Sequence, residues 1–218
     1  MFEQRYLNLP NNLYTLASST NFEDITIGRK GAILCDDNKY IVRSTTNYNN
    51  NMQYFNTIHN DIMKECSKYT GETYNNAMIE MYDENYTTMK YHSDMTLDLT
   101  GNTICIYSCY PSDDEPRRKL KIKNKTTNIE QTITLENNSI VYFSLETNKQ
   151  YLHKIIGKGK WLGITFRNSQ TKAENLTFAT DEEKRYLLSL RKQENSHIDF
   201  SYPIINYTLS HGDLLGTV

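Results

Sequence analysis

Two histidines and one aspartate carry the chemistry that is legible in this chain. His92 and Asp94 stand two apart in Tyr91-His92-Ser93-Asp94, and His153 follows about sixty residues later in Tyr151-Leu152-His153. On a β-strand, residues i and i+2 face the same side, so His92 and Asp94 can share one ion. With His153 as the third corner they make a 2-His-1-carboxylate set, which holds Fe(II) on one face and leaves other positions open. An H-x-D tripeptide also arises by chance. The surrounding elements must therefore bring the distant histidine to the same point.

The periodicity shows how they can. From Met52 to Cys66, apolar residues at Phe55, Ile58, Ile62 and Cys66 follow helical spacing. The period then changes to two. Strands are predicted at Asn76 to Tyr82, Thr103 to Tyr110, Lys119 to Lys123, Thr132 to Leu135, Ser139 to Phe143 and Trp161 to Arg167. Turns fall at Asp83-Glu84-Asn85 and Asn137-Asn138, where Asn tolerates the left-handed conformation. Thr180-Asp181-Glu182-Glu183 has the form of a capping box opening a helix through Tyr186, Leu187 and Leu190. Short strands with turns between them predict a mainly β fold with flanking helices (α+β), an antiparallel sandwich or barrel. A double-stranded β-helix (jelly roll) core joins an early strand end to a late one at its mouth, as His92 and His153 require. The expected organisation is a single domain: an N-terminal lead-in over 1–34, a core over 35–168, and a C-terminal helical and irregular appendage over 169–218.

Bulk properties narrow the function classes. The chain has 218 residues, 38% hydrophobic and 23% charged, with 17 Tyr but only 9 Gly and 4 Pro. This is the composition of a globular domain. No apolar run reaches the roughly 18 residues that span a bilayer, so no membrane association is expected. Cys35, Cys66, Cys105 and Cys109 are too scattered for a zinc site and read as reduced, buried thiols of a cytoplasmic protein. The net charge of −2 gives no global attraction to nucleic acid. The oligomeric state is not legible.

Several blocks, taken in order, resemble the AlkB-like Fe(II)- and 2-oxoglutarate-dependent dioxygenases. Tyr82-Asp83-Glu84-Asn85 followed by Tyr91-His92-Ser93-Asp94 is similar to the family's strand-turn-H-x-D block. Leu135 to Phe143 resembles the strand leading to the distal histidine, the place His153 takes. Leu162-Gly163-Ile164-Thr165-Phe166-Arg167 resembles the closing strand ending in T-F-R, and Ile41 to Tyr48 the substrate lid. The resemblance spans residues 40 to 168. It implies Fe(II) held by His92, Asp94 and His153, with 2-oxoglutarate and O2 as cosubstrates. It also implies oxidative dealkylation of a nucleic-acid base, single-stranded or flipped out of a duplex. Hydroxylation or demethylation of a protein side chain or small molecule is the alternative. A non-catalytic jelly-roll binding module is a third.

A dianionic cosubstrate needs a cation, and Arg suits a carboxylate through its bidentate fork. Arg167 is the candidate; Thr165 shares its strand face, and the Tyr82 hydroxyl is placed to hydrogen-bond the cosubstrate. Arg43, Thr46 and Tyr48 fall in the lid segment. Two positions depart from the family pattern: Trp161 replaces an arginine, and Glu80 replaces an asparagine. An inward acid beside a bound carboxylate must be protonated or paired, for which Arg167 is one partner; otherwise a single arginine holds the ligand. His59 is expected to be a packed or surface histidine. In the run Arg117 to Lys125, a solvated strand face is expected.

Overall fold

The computed structural model describes residues 1–9 and 13–214. In chain order the elements are β1 (Glu3–Tyr6), α1 (Leu13–Ser18), β2 (Glu23–Thr26), β3 (Arg29–Cys35), β4 (Tyr40–Ile41), β5 (Gln53–Tyr54) and α2 (Thr57–Thr70). Then follow β6 (Asn76–Tyr82), β7 (Leu99–Cys109), β8 (Lys119–Asn124), β9 (Glu130–Thr134), β10 (Ser139–Ser144), α3 (Leu145–Gln150) and β11 (Tyr151–Ile156). The chain continues through β12 (Trp161–Ser169), β13 (Thr171–Lys172), β14 (Thr177–Phe178), α4 (Asp181–Ser196) and β15 (Tyr207–Thr208).

The larger sheet runs β1-β10-β7-β12-β6-β3-β2, with β5 beside β3, and the smaller runs β11-β8-β9. From β7 onward the chain passes to the small sheet for β8 and β9, back for β10, across for β11 and back for β12. That alternation of antiparallel strands is a double-stranded β-helix. The residues before 35 do more than lead in: β1 pairs with β10 on one side, and β3 pairs with β6 on the other.

Tyr82, Ile106, Leu120, Ile122, Phe143 and Trp161 fill the space between the sheets. The opposite face of the large sheet, through Ala77, Ile79, Ile164 and Phe166, packs against Ile62, Met63 and Cys66 of α2. The helix begins at Thr57, later than Met52, because Asn56 caps it: its side chain accepts the His59 N–H, and Gly71 ends it at φ 71°. The capping box at Thr180 opens α4 as its sequence predicts. Asn138 adopts a positive φ of 49°. Asn85 does not; its N–H is accepted by the Asp83 carboxylate at 2.8 Å, which holds the turn instead. The four cysteines are buried, and none is in a disulfide. Among the described residues, no helix is long and apolar enough to cross a membrane.

His59 is a core residue with a cap function. Its Nδ1 accepts the Asn56 N–H at 3.3 Å and its Nε2 faces Thr20 Oγ1 at 3.2 Å, which requires the neutral ring. Burial lowers its pKa to about 4. An unfolded histidine titrates near 6.5, so between those values the unfolded chain binds the proton and the folded chain does not. Stability is therefore expected to fall as pH drops from about 6.5 to 4, by up to ~3 kcal/mol. Urea titrations of the metal-free protein should show this slope flattened in His59→Gln. An unchanged slope would place the acid sensitivity elsewhere.

Candidate metal centre

The two histidines meet through their backbones. The His92 N–H donates to the His153 carbonyl at 3.0 Å, and the His153 N–H donates back at 2.7 Å. This reciprocal pair is an isolated antiparallel bridge that extends the small sheet beyond β11. It places the imidazole centroids 4.7 Å apart. Asp94 follows in a buried loop, pinned by Asn148 of α3. The Asn148 side chain accepts the Asp94 N–H at 2.8 Å and donates to the Asp94 carbonyl at 2.8 Å. One donor atom from each of His92, Asp94 and His153 lies within 4.8 Å of the others.

The protonation states suit a cation. His92 Nδ1 lies 3.0 Å from the Lys90 carbonyl, so the neutral ring donates there and leaves the Nε2 lone pair for an ion. Burial, then the neighbouring His153, lowers the His92 pKa to about 3, against a smaller upward pull from Asp94. Burial pushes the Asp94 carboxyl up, but Arg167 and the His153 hydrogen bond outweigh it and hold the group well below its usual range. His153 Nε2 is 3.4 Å from Asp94 Oδ1, while its Nδ1 is buried without a partner. Donors at adjacent positions around an ion with bonds of roughly 2.1 Å stand about 3 Å apart. Two imidazoles and a carboxylate match the preferences of Fe(II), and three ligands leave the rest of its sphere open.

His92 and Asp94 line a cavity of about 380 Å³, within the range of small-molecule sites. Its walls include Arg29, Glu80, Tyr86, Tyr91, Arg167 and Arg191. Arg167 Nε donates to Asp94 Oδ2 at 2.7 Å and Nη1 to the Thr165 carbonyl at 3.4 Å. A pairing of Arg167 with Glu80 is therefore corrected. Glu80 is held instead by Arg29 of β3, whose Nε donates to Oε1 at 2.7 Å and whose Nη2 makes a second short contact.

The remaining candidates separate. The Tyr82 hydroxyl donates to Glu80 Oε2 at 2.7 Å and its ring is fully buried, 4.8 Å from Trp161. The Trp161 indole lies across Gly163, where a Cβ would come within 2.0 Å of it. Tyr82 and Thr165 are not among the cavity walls. Arg43 and Thr46 are, and Arg43 is held by several partners. It is buried, donates from Nε to both Asp98 oxygens, and donates from Nη1 to the Ile205 and Tyr207 carbonyls at 3.0 and 2.6 Å. Tyr48 packs in the interior at 1% exposure, its N–H donating to Ser210 Oγ. In the basic run Lys119 is exposed, as expected of a solvated face. Arg118 turns fully inward and caps the carbonyls of Asp83, Tyr86, Gly157 and Gly159.

Arg29, Asn148 and Arg191 have no signal in the sequence. Each acts on a partner at least 50 residues away, through a contact that only the sheet register or the helix packing creates.

No protein-family model and no curated protein matches the chain. Among solved structures, the chain is similar to a Pseudomonas putida prolyl-4-hydroxylase at 11% identity and a TM-score of 0.48, covering 78% of this chain and 92% of that one. It is also similar to OsALKBH1, at 9% identity and a TM-score of 0.45, covering 68% and 84% respectively.

Proposed function

We propose that this protein is an Fe(II)- and 2-oxoglutarate-dependent dioxygenase. The observation that carries the reading is the backbone bridge between His92 and His153, which brings both imidazoles to Asp94 at the edge of a ligand-sized cavity. A structural role accounts for the Arg167–Asp94 pair, but not for two imidazoles meeting the same carboxylate beside a cavity. That counts against a non-catalytic module.

In this reading His92, Asp94 and His153 hold the ion. With 2-oxoglutarate and O2, the bound ion supplies decarboxylation of the keto acid to succinate and CO2, coupled to oxidation of a substrate C–H. The protein's own contribution is placement. Arg167 keeps Asp94 ionised and presents its remaining donors to an anion, and Arg29 adds a second guanidinium to the cavity wall. The Trp161 indole and Tyr82 ring close the interior beyond it.

For substrate we propose a nucleic-acid base, dealkylated by oxidation. The exposed Lys90 and the half-buried rings of Tyr86 and Tyr91 stand at the cavity, a mixture of cation and aromatic faces on which an unpaired base stacks. Hydroxylation or demethylation of a protein side chain or small molecule is the second reading, favoured by the net charge of −2. Succinate release with Fe(II) and 2-oxoglutarate, across methylated oligonucleotides, peptides and nucleosides, separates the two. The expected result is release with single-stranded oligonucleotides, whose binding weakens as salt is raised. Release with peptides alone would replace the nucleic-acid reading.

A further inference from the structure

Helix α4 lies outside the jelly-roll strands, yet three of its residues reach the loop that carries the metal-ligand aspartate. After His92 the chain leaves the ladder. Residues 93–98 pair with no strand, although Ser93, Asp94 and Met95 are buried. The polar backbone groups of a buried loop need partners, and α4 supplies several. Asn195 Oδ1 accepts from the Ser93 N–H at 3.1 Å and from its hydroxyl at 3.3 Å. Glu194 Oε1 accepts from the Thr96 N–H at 2.8 Å and its hydroxyl at 2.7 Å. Arg191 donates to the Ser93 carbonyl and to Glu194 Oε2, which also accepts the Tyr202 hydroxyl at 2.8 Å.

Two further facts separate this from ordinary packing. Glu194 is only 4% exposed. A buried ion pair is commonly no more stabilising than apolar side chains of similar volume, so its presence points to placement of its partners. Arg191 and Asn195 also wall the same cavity as His92 and Asp94. Leu187 and Leu190 pack with Met95 and Ile205, which seats the helix on the loop. Arg43, bound to the carbonyls of Ile205 and Tyr207, ties the following segment to the core.

We propose that α4 is a positioning element of the metal centre. Asn195, Glu194 and Arg191 fix residues 93–96 so that Asp94 meets the two imidazoles. The inference rests on the metal-binding reading above, and the test keeps the two apart. Anaerobic titration with Co(II), followed by its visible absorption, reads ligand geometry and affinity without turnover. Asn195→Ala is expected to bind Co(II) at least about tenfold more weakly than the intact protein. Asn195→Asp, which keeps the acceptor oxygen, should recover most of the loss, and the Tm of Asn195→Ala should stay near that of the intact protein. Arg191→Ala should weaken binding in the same direction. Intact Co(II) affinity in Asn195→Ala would overturn the proposal, as would losses in both variants that simply follow their Tm. Absence of Co(II) binding by the unaltered protein overturns the metal-centre reading itself.

Discussion

Asp94→Ala is expected to eliminate succinate release and to weaken Fe(II) binding by at least about a hundredfold, since it removes the one anionic member of the proposed ligand set. It should also destabilise the metal-free protein. Arg167 is 6% exposed and its Nε is committed to Asp94, so alanine leaves a guanidinium buried without its counter-ion. Removing one partner of such a pair costs about 3–5 kcal/mol. Asp94→Asn tests the two effects separately. It retains a hydrogen-bond acceptor for Arg167 and should recover part of the stability without restoring the metal. The contribution of Asp94 also fixes a pH dependence. Its folded pKa lies below its unfolded value, so the stabilisation is complete above about 4 and is lost as pH falls further. Turnover unchanged in Asp94→Ala would remove this residue from the centre.

Arg167→Ala produces the second large effect. The substitution strips Asp94 of the cation that keeps its carboxyl ionised, and strips the cavity of a donor set facing the proposed cosubstrate. The KM for 2-oxoglutarate should rise at least about tenfold, the loss expected for one charge-assisted contact of about 1.5–3 kcal/mol. Fe(II) affinity should fall with it. Arg167→Lys should recover little, because a point charge cannot reproduce the planar fork. An unaltered KM would shift the anchor to Arg29, and Arg29→Ala would then carry the larger effect.

The candidate trio is legible because one pair is local. His92 and Asp94 are two apart, and the change of period from helix to strand implies a fold able to bring His153 back to them. The cap at Thr180 was legible for the same reason: its partner is Glu183, three residues on. Contacts set by strand register and helix packing are not legible from local spacing. Glu80 stands out as an inward acid, but its counter-ion sits 51 residues earlier on β3 and is fixed by strand register alone. Arg43 lines the cavity, and its partners Asp98, Ile205 and Tyr207, all distant in sequence, also tie the core to the C-terminal segment. Tyr82 lies on the predicted inner face, but Trp161 and Glu80 occupy its ring and hydroxyl.

Everything above depends on two distant imidazoles and a carboxylate sharing one ferrous ion. Anaerobic equilibrium titration with Fe(II), comparing the intact chain with His153→Ala, tests it without reference to any substrate. One ion per chain is expected in the intact protein, with affinity at least about a hundredfold weaker in His153→Ala. Binding that His153→Ala leaves unchanged, or none in the intact protein, would contradict it.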